Sequence, residues 1–397
     1  MPRCFALVPL FALAAACADG VQPLAPADAP AAARAVDGPG NYIVVLHDDQ
    51  NPRSVAALLG INPNRVYDAG LQGFAAGLNE GQLNALQHNP AVKYVEPDRP
   101  AQMFTTMLFP VWGLDRIDEP TLPLSSTFTY TNNGTGVTVY VLDTGVRKTH
   151  NQFGGRADYI NNGLGGNFVG DAAVNAEDCH GHGTHVAGTV GGIGYGVAKN
   201  VQIRAGRVVD CGGNGTTSMV ISAMQWIYNN GVKPGVVSMS LGYGNEQSVR
   251  DMVARLTYRG FVVAAAAGNG DFAGTPQDAC LQAPAGAPSA ITVGSTTSTD
   301  DESSFSNYGT CVDILAPGSS VKSAWIGSDS AFATKSGTSM ATPHVAGVAA
   351  QYLQTHPTAT PATVWNAINS IANVGVITRH AASVANGTPN KLLYTNF

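Results

Sequence analysis

From residue 136 onward the chain alternates short, almost wholly apolar runs with stretches of helical periodicity, and this alternation leaves few folds open. The runs at 136–142, 202–209, 236–239 and 262–267 are rich in valine and alanine, and each gives way to a polar or glycine turn. Helical patterns follow Gly183 and cover 218–229 and 249–259. Strands that are apolar on both faces and separated by helices read as a mostly parallel sheet with helices packed on either side. Ligands bind such sheets beyond the carboxyl ends of the strands, so the polar residues found there matter most.

A smaller unit precedes this region. Strand patterns at 42–46, 73–78 and 92–95 enclose helical patterns at 53–59 and 80–88, an order that fits a small α+β module over 41–100. The Ala/Pro-rich stretch 19–40 buries nothing and reads as a linker. The stretch 101–110 holds the hydrophobic string Met103-Phe-Thr-Thr-Met-Leu-Phe109 between prolines and reads as a second linker. Residues 1–18 carry Arg3, an apolar run and Ala16-Cys17-Ala18, the pattern of a secretory signal, with a lipid-anchored precursor through Cys17 as the alternative. No other segment reaches the roughly 18 apolar residues of a membrane helix. With a net charge of −6, 12% charged residues and no basic run, nucleic acid and anionic membranes are excluded as partners. Outside the leader lie four cysteines, Cys179, Cys211, Cys280 and Cys311, an even number that suggests two disulfides in an exported chain.

Several turns carry chemistry. Val137-Thr-Val-Tyr-Val-Leu-Asp143-Thr-Gly145 ends a buried strand on a carboxylate, which alone could be a strand-end cap or half of an aspartic protease dyad; no second Asp-Thr-Gly supplies the other half. Cys179-His180-Gly-His182-Gly-Thr-His185 could ligate zinc or present His182 as a base, with His185 as a packed helix residue and His180 as a turn residue. Ser336-Gly-Thr-Ser339-Met-Ala-Thr-Pro343 places a serine before an apolar helix with proline in its first turn, either as a helix cap or as a nucleophile beside the positive helix end. Gly268-Asn269-Gly270 ends another strand on an amide able to bind an oxyanion. Acid, histidine, amide and serine occurring together in one α/β domain favour a Ser-His-Asp hydrolase.

On the motifs Val-Leu-Asp143-Thr-Gly, Gly-His182-Gly-Thr-His-Val-Ala-Gly and Gly-Thr-Ser339-Met-Ala-Thr-Pro-His, the chain from Trp112 onward resembles the subtilase family, in its proteinase K and aqualysin branch. The resemblance implies a subtilisin-like three-layer α/β domain at 111–397, a mostly parallel central sheet flanked by helices. It also implies a secreted serine endopeptidase with Ser339 as nucleophile, His182 as base, Asp143 orienting it and Asn269 in the oxyanion hole. Peptide substrate is expected as an added strand between Gly213-Asn214-Gly215 and Ser240-Leu241-Gly242, with Ala265, Ala266 and Gly268 leaving a slot for apolar or aromatic P1 residues. A degenerate, calcium-stiffened binding protein is the alternative, although none of these catalytic residues is missing.

The branch further implies the pairs Cys179–Cys211 and Cys280–Cys311, each closing a loop of about 30 residues and adding roughly 3 kcal/mol by the loop-entropy model. Structural calcium is implied at Pro288, Ala290 and Asp313, and again at Asp115, Asp118 and Glu119, all offering hard oxygen ligands; Asp171 and Asp178 are a further acidic pair that matches no pattern. The module at 41–100 resembles the inhibitory propeptide of subtilases, a ferredoxin-like α+β domain, in Gly73-Phe74-Ala-Ala-Gly-Leu-Asn and Val95-Glu-Pro-Asp98. It is expected to inhibit its own chain until cut between about residues 101 and 106, with Phe104 as the P1 candidate. A monomer is expected, with no catalytic cofactor and no accessory domain after Tyr394.

Overall fold

The computed structural model describes residues 40–98, 105–171, 175–242, 244–271 and 273–397. The signal reading, the first-linker reading except for Gly40, and Cys4, Cys17 and Phe104 lie outside the described residues. The chain divides into two compact units, Met1–Ala101 and Gln102–Phe397.

In the first unit, β1 (Gly40–Leu46), α1 (Pro52–Leu58), β2 (Arg65–Ala69), β3 (Leu71–Leu78), α2 (Glu80–Gln87) and β4 (Val92–Pro97) form a βαββαβ unit. Its antiparallel sheet has the order β2-β3-β1-β4. Asn51 caps α1, with Pro52 inside the first turn, and Asn79 with Gln82 forms a reciprocal capping box on α2. Val44, Leu46, Phe74, Ala76, Leu78, Leu83 and Leu86 make the core. The sequence pattern misses β2 because none of its five residues is buried, so no apolar period marks it.

The second unit begins with β5 (Thr105–Leu108), α3 (Trp112–Ile117) and β6 (Thr127–Tyr130). The 101–110 stretch read as a linker therefore contains a strand: β5 pairs antiparallel with β6, and Met107 packs against the core, which accounts for the hydrophobic string. There follow β7 (Thr138–Asp143), β8 (Ala157–Tyr159), α4 (His182–Gly191), β9 (Gln202–Arg207), α5 (Thr217–Asn230), β10 (Gly235–Met239), α6 (Gln247–Tyr258) and β11 (Val262–Ala266). The remainder comprises β12 (Ile291–Thr296), β13 (Ile314–Pro317), the hairpin β14 (Val321–Ala324) and β15 (Phe332–Lys335), α7 (Thr338–Thr355), α8 (Pro361–Ile371), β16 (Asn373–Val374), α9 (Ala381–Ala385) and β17 (Lys391–Leu392).

Nine of these strands form one sheet, ordered β16-β17-β13-β12-β11-β10-β7-β9-β8, in which β16 alone runs antiparallel to its neighbour. Successive side chains of β7 face opposite layers: Val139 and Val141 join the α4 and α7 side, Tyr140 and Leu142 the α5 and α6 side. That double burial is why the run reads as continuously apolar. The chain leaves β7 toward β8 and β9 on one side, then crosses to β10 on the other. The reversal opens a crevice at the carboxyl ends of β7 and β10.

Candidate active site

Asp143 is the last residue of β7 and is almost completely buried, while His182 is the first residue of α4. Gly183 lets these two elements approach, since a Cβ there would lie 2.1 Å from the Gly145 carbonyl oxygen and 3.1 Å from the Asp143 side chain. The result is a 2.7 Å hydrogen bond from His182 Nδ1 to Asp143 Oδ1, which also accepts from the Thr144 amide. Burial works to lower the His182 pKa, but the Asp143 charge, its hydrogen bond and the Asp178 charge outweigh it, so the imidazole is held above its ordinary value. The Lys335 ammonium offsets part of this rise.

Ser339 is the second residue of α7, whose N-cap is Gly337, so the serine is not a capping residue. Pro343 lies in the second turn of this helix, one turn later than the motif suggests, and its missing N–H leaves the Ser339 carbonyl without a helical partner. The Ser240 hydroxyl fills that vacancy at 2.9 Å, and the Ser339 hydroxyl in turn donates to the Ser240 carbonyl at 3.2 Å. The nucleophile candidate is thus fastened to the residue that follows β10.

Asn269 stands opposite. Its Oδ1 accepts from the Thr338 amide (2.8 Å) and the Thr338 hydroxyl (2.9 Å), which fixes the carbonyl half of the side chain, and a Cβ on Gly337 would lie 3.4 Å from its Nδ2 and 3.6 Å from the Ser339 nitrogen, so both donors border one point. Sequence reasoning misses Asn307, a fully buried side chain that holds this loop from both flanks. It donates to the Ala267 carbonyl and accepts from the Gly270 and Gln277 amides, while its own N–H reaches the Gly268 carbonyl.

Asp178 is the other residue that sequence reasoning misses as part of the site, weighing it only as an acid for calcium. Its carboxylate accepts five hydrogen bonds, from the Thr144 hydroxyl, the His180 and Gly181 amides, and the amide and hydroxyl of Thr184. Asp171 forms a bidentate pair with Arg207. Both acids are therefore engaged by protein donors. Asp178's place four residues before His182 was the available signal.

The three imidazoles of the histidine cluster do not converge on a point. His185 is buried with Nε2 directed at the Val321 and Ala333 carbonyls, and burial pushes its pKa down to about 4. His180 lies edge-on to His182, its Nε2 3.8 Å from where a Gly213 Cβ would stand, which joins the 213–215 edge to the site. Asp210 shapes that edge by accepting from the Gly212 and Asn214 amides. Ala265 and Ala266 are buried at the end of β11, beside the 240–242 stretch that follows β10. Bonds join Cys179 to Cys211 and Cys280 to Cys311.

Ligand atoms of Asp115, Asp118 and Glu119 lie within 4.8 Å of one another. Asp118 Oδ1 is buried without a partner, and burial, with Glu119 and Asp115 beside it, pushes the Asp118 pKa up to about 7 despite a bond from the Thr129 amide. A buried, unpartnered carboxylate oxygen among acids fits a hard cation. Asp313 Oδ2 accepts from the Thr292 amide, two residues beyond Ala290, and burial raises its pKa to about 6; Pro288 is exposed. No helix among the described residues is long and apolar enough to cross a membrane.

Comparison with known proteins gives two family matches: the subtilase family over residues 134–391, and the peptidase inhibitor I9 family over 41–104. An extracellular serine proteinase of Thermus sp. (strain Rt41A) is 46% identical over 86% of this chain and 79% of its own length. An alkaline serine exoprotease A of Vibrio alginolyticus is 45% identical over 87% and 62%, and proteinase R of Parengyodontium album 40% identical over 90% and 89%. The crystal structure of a cold-adapted subtilisin-like serine proteinase matches with a TM-score of 0.67 and 48% identity, covering 73% of this chain and 99% of that one.

Proposed function

The chain belongs to the subtilase family, serine endopeptidases of subtilisin-like fold, here with an I9 propeptide domain, and we propose that Asp143, His182 and Ser339 are its catalytic triad. The observation that carries this reading is the 2.7 Å bond between His182 and Asp143 at the switch point of the sheet, with Ser339 held there at the start of α7. In the reaction the Ser339 hydroxyl leaves the Ser240 carbonyl and attacks the peptide carbonyl carbon as His182 Nε2 takes its proton. Asp143 keeps the other ring nitrogen protonated and stabilises the imidazolium. The carbonyl oxygen, now an oxyanion, accepts from the Ser339 N–H and the Asn269 amide. Collapse breaks the C–N bond, His182 returns the proton to the leaving amine, and water repeats the sequence on the acyl-enzyme.

Substrate lies as a strand between 213–215 and 240–242. The small residues Ala265, Ala266 and Gly268 leave room for apolar or aromatic P1 residues, with broad cleavage otherwise. The chain is exported and folds as a zymogen whose own 41–100 domain inhibits it. A cut after Phe104, where the I9 match ends, leaves β5 whole from Thr105. Calcium, when bound, supplies charge neutralisation and cross-linking; Asp115, Asp118 and Glu119 hold one ion, and Asp313 with the Pro288 and Ala290 carbonyls another.

The test is Ser339→Ala. The expected variant stays unprocessed and cleaves no casein, and the parent is silenced by a serine-directed phosphonylating reagent. A Ser339→Ala chain that still matures unaided overturns the triad, and a mature N-terminus outside 101–106 overturns the processing site.

A further inference from the structure

The two disulfides join residues 32 and 31 apart in sequence, so they close loops of nearly equal length, yet their surroundings differ. Cys179 and Cys211 are both exposed, whereas Cys280 and Cys311 are half-buried. Arg207, the last residue of β9 and fully buried, lies under the exposed pair, with Nη2 3.6 Å from Cys179 Sγ and 3.5 Å from Cys211 Sγ. Asp171 holds the same guanidinium through Nη1 at 2.8 Å and Nη2 at 2.7 Å, which leaves one N–H of Nη2 for the two sulfurs. The second pair has no such neighbour among the described residues. Cys280 Sγ meets the neutral Thr310 hydroxyl at 3.7 Å, and Arg250 reaches the Cys280 backbone carbonyl instead of a sulfur.

A disulfide sulfur is a weak hydrogen-bond acceptor, and a thiolate is a charged and strong one. An arginine N–H set between two bonded sulfurs therefore gains most when the bond opens and one of them carries charge. Exchange is faster for accessible sulfurs and for a leaving thiolate that is stabilised, and exposed disulfides are the labile ones. The exposed pair also sits where opening it matters. Cys179 lies three residues before His182, and Cys211 belongs to the turn that leads into the 213–215 edge. That turn closes on itself: the Asp210 N–H donates to the Asn214 carbonyl, and Asp210 Oδ1 accepts from the Gly212 and Asn214 amides. The bond to Cys179 is its covalent tie to the histidine loop.

We propose that Cys179–Cys211 is a site of thiol–disulfide exchange, with a low-molecular-weight thiol or dithiol as co-reactant, whose state sets how firmly the 213–215 edge holds substrate. An external thiolate attacks one Sγ, the S–S bond breaks, and the other sulfur leaves as a thiolate on Arg207 Nη2. A second external thiolate then displaces the first. The protein pair takes up two electrons and two protons, and the two external thiols leave as one disulfide. The inference rests on the peptidase reading and adds a regulation to it. In a reducing compartment the edge is untied, and an oxidising one ties it.

The experiment equilibrates the mature enzyme, blocked by a phosphonylating reagent against self-digestion, in dithiothreitol buffers of graded reduced-to-oxidised ratio. Free thiols are then alkylated and mapped by mass spectrometry. Cys179–Cys211 is expected to open at a ratio about tenfold lower than Cys280–Cys311, the factor for one charge-assisted hydrogen bond. Where that pair alone is open, the unblocked enzyme shows a KM for an extended peptide raised about fivefold, the worth of one net hydrogen bond to the edge. Its rate of phosphonylation, which needs the triad and not the edge, stays unchanged. Arg207→Gln with Asp171→Asn, which removes both charges, brings the two opening ratios together; Arg207→Lys, should the double variant fail to fold, keeps the cation and the order of opening. Both pairs opening at one ratio in the parent, Cys280–Cys311 opening first, or a KM indifferent to the opening overturns the proposal and leaves the triad standing. Loss of the triad reading shows separately, as hydrolysis that survives Ser339→Ala.

Discussion

Replacing Asp178 by asparagine removes one charge and keeps the shape, so its cost can be counted bond by bond. The carboxylate joins the turn after β7 to the start of α4: Oδ1 accepts from Thr144, His180 and Gly181, and Oδ2 from the amide and hydroxyl of Thr184. An asparagine oxygen can retain the first three, but its NH₂ then faces two donors. The Thr184 hydroxyl can turn to accept; the Thr184 amide, fully buried, cannot. One stranded donor costs about 1–3 kcal/mol, and the weakening of three charge-assisted bonds adds to it, giving about 3 kcal/mol in all. For a unit of this size, Gln102–Phe397, that lowers Tm by roughly 5 °C. The charge acts on catalysis separately. Asp178 helps hold the His182 pKa above its ordinary value, and the base must be neutral to work, so the acid limb of kcat/KM moves to lower pH when the charge is removed. The assay is hydrolysis of a chromogenic peptide between about pH 4.5 and 9, well below both melting temperatures. A variant whose Tm falls while its acid limb stays in place, or moves upward, refutes the electrostatic part of this reasoning.

Three further outcomes are expected. Asn307→Ala lowers kcat by about tenfold or more with KM little changed; on an Asn269→Ala background the same substitution adds far less, a non-additivity read by a double-mutant cycle. Chelation lowers Tm, restored by calcium, since ligand at about 100 times its Kd contributes about 2.7 kcal/mol; Asp118→Asn reduces that difference. Replacing Cys179 and Cys211 together by serine destabilises by about 3 kcal/mol in denaturant unfolding, as expected of a pair 32 residues apart in sequence.

The parallel sheet was legible because its central strands are buried on both faces, so their runs are unbroken and their polar ends stand out; Asp143 at the end of β7 and Asn269 beyond β11 are of this kind. Edges were harder to read. β2 buries nothing, and β5 hid between prolines in a stretch without periodicity, its partner β6 lying about 20 residues further on. The roles of Asp178 and Asn307 were missed for another reason. Their importance lies in how many separate backbone groups each one satisfies, and those groups converge only when strands and helices pack. Pro343 reads one turn early because the motif does not reveal that α7 starts at Thr338, before the serine.

That proline has a wider effect. A helix normally keeps its carbonyls to itself, so that an interior residue senses the rest of the protein only through its side chain. Pro343 opens one carbonyl, on the residue whose hydroxyl is placed to react, and Ser240 answers it while receiving the serine's hydroxyl in exchange. Ser339 thereby belongs to two bodies, the buried helix α7 and the sheet edge after β10. The wall that would receive a substrate and the atom that would attack it share a pair of hydrogen bonds, and any shift in one is registered by the other without an intervening loop.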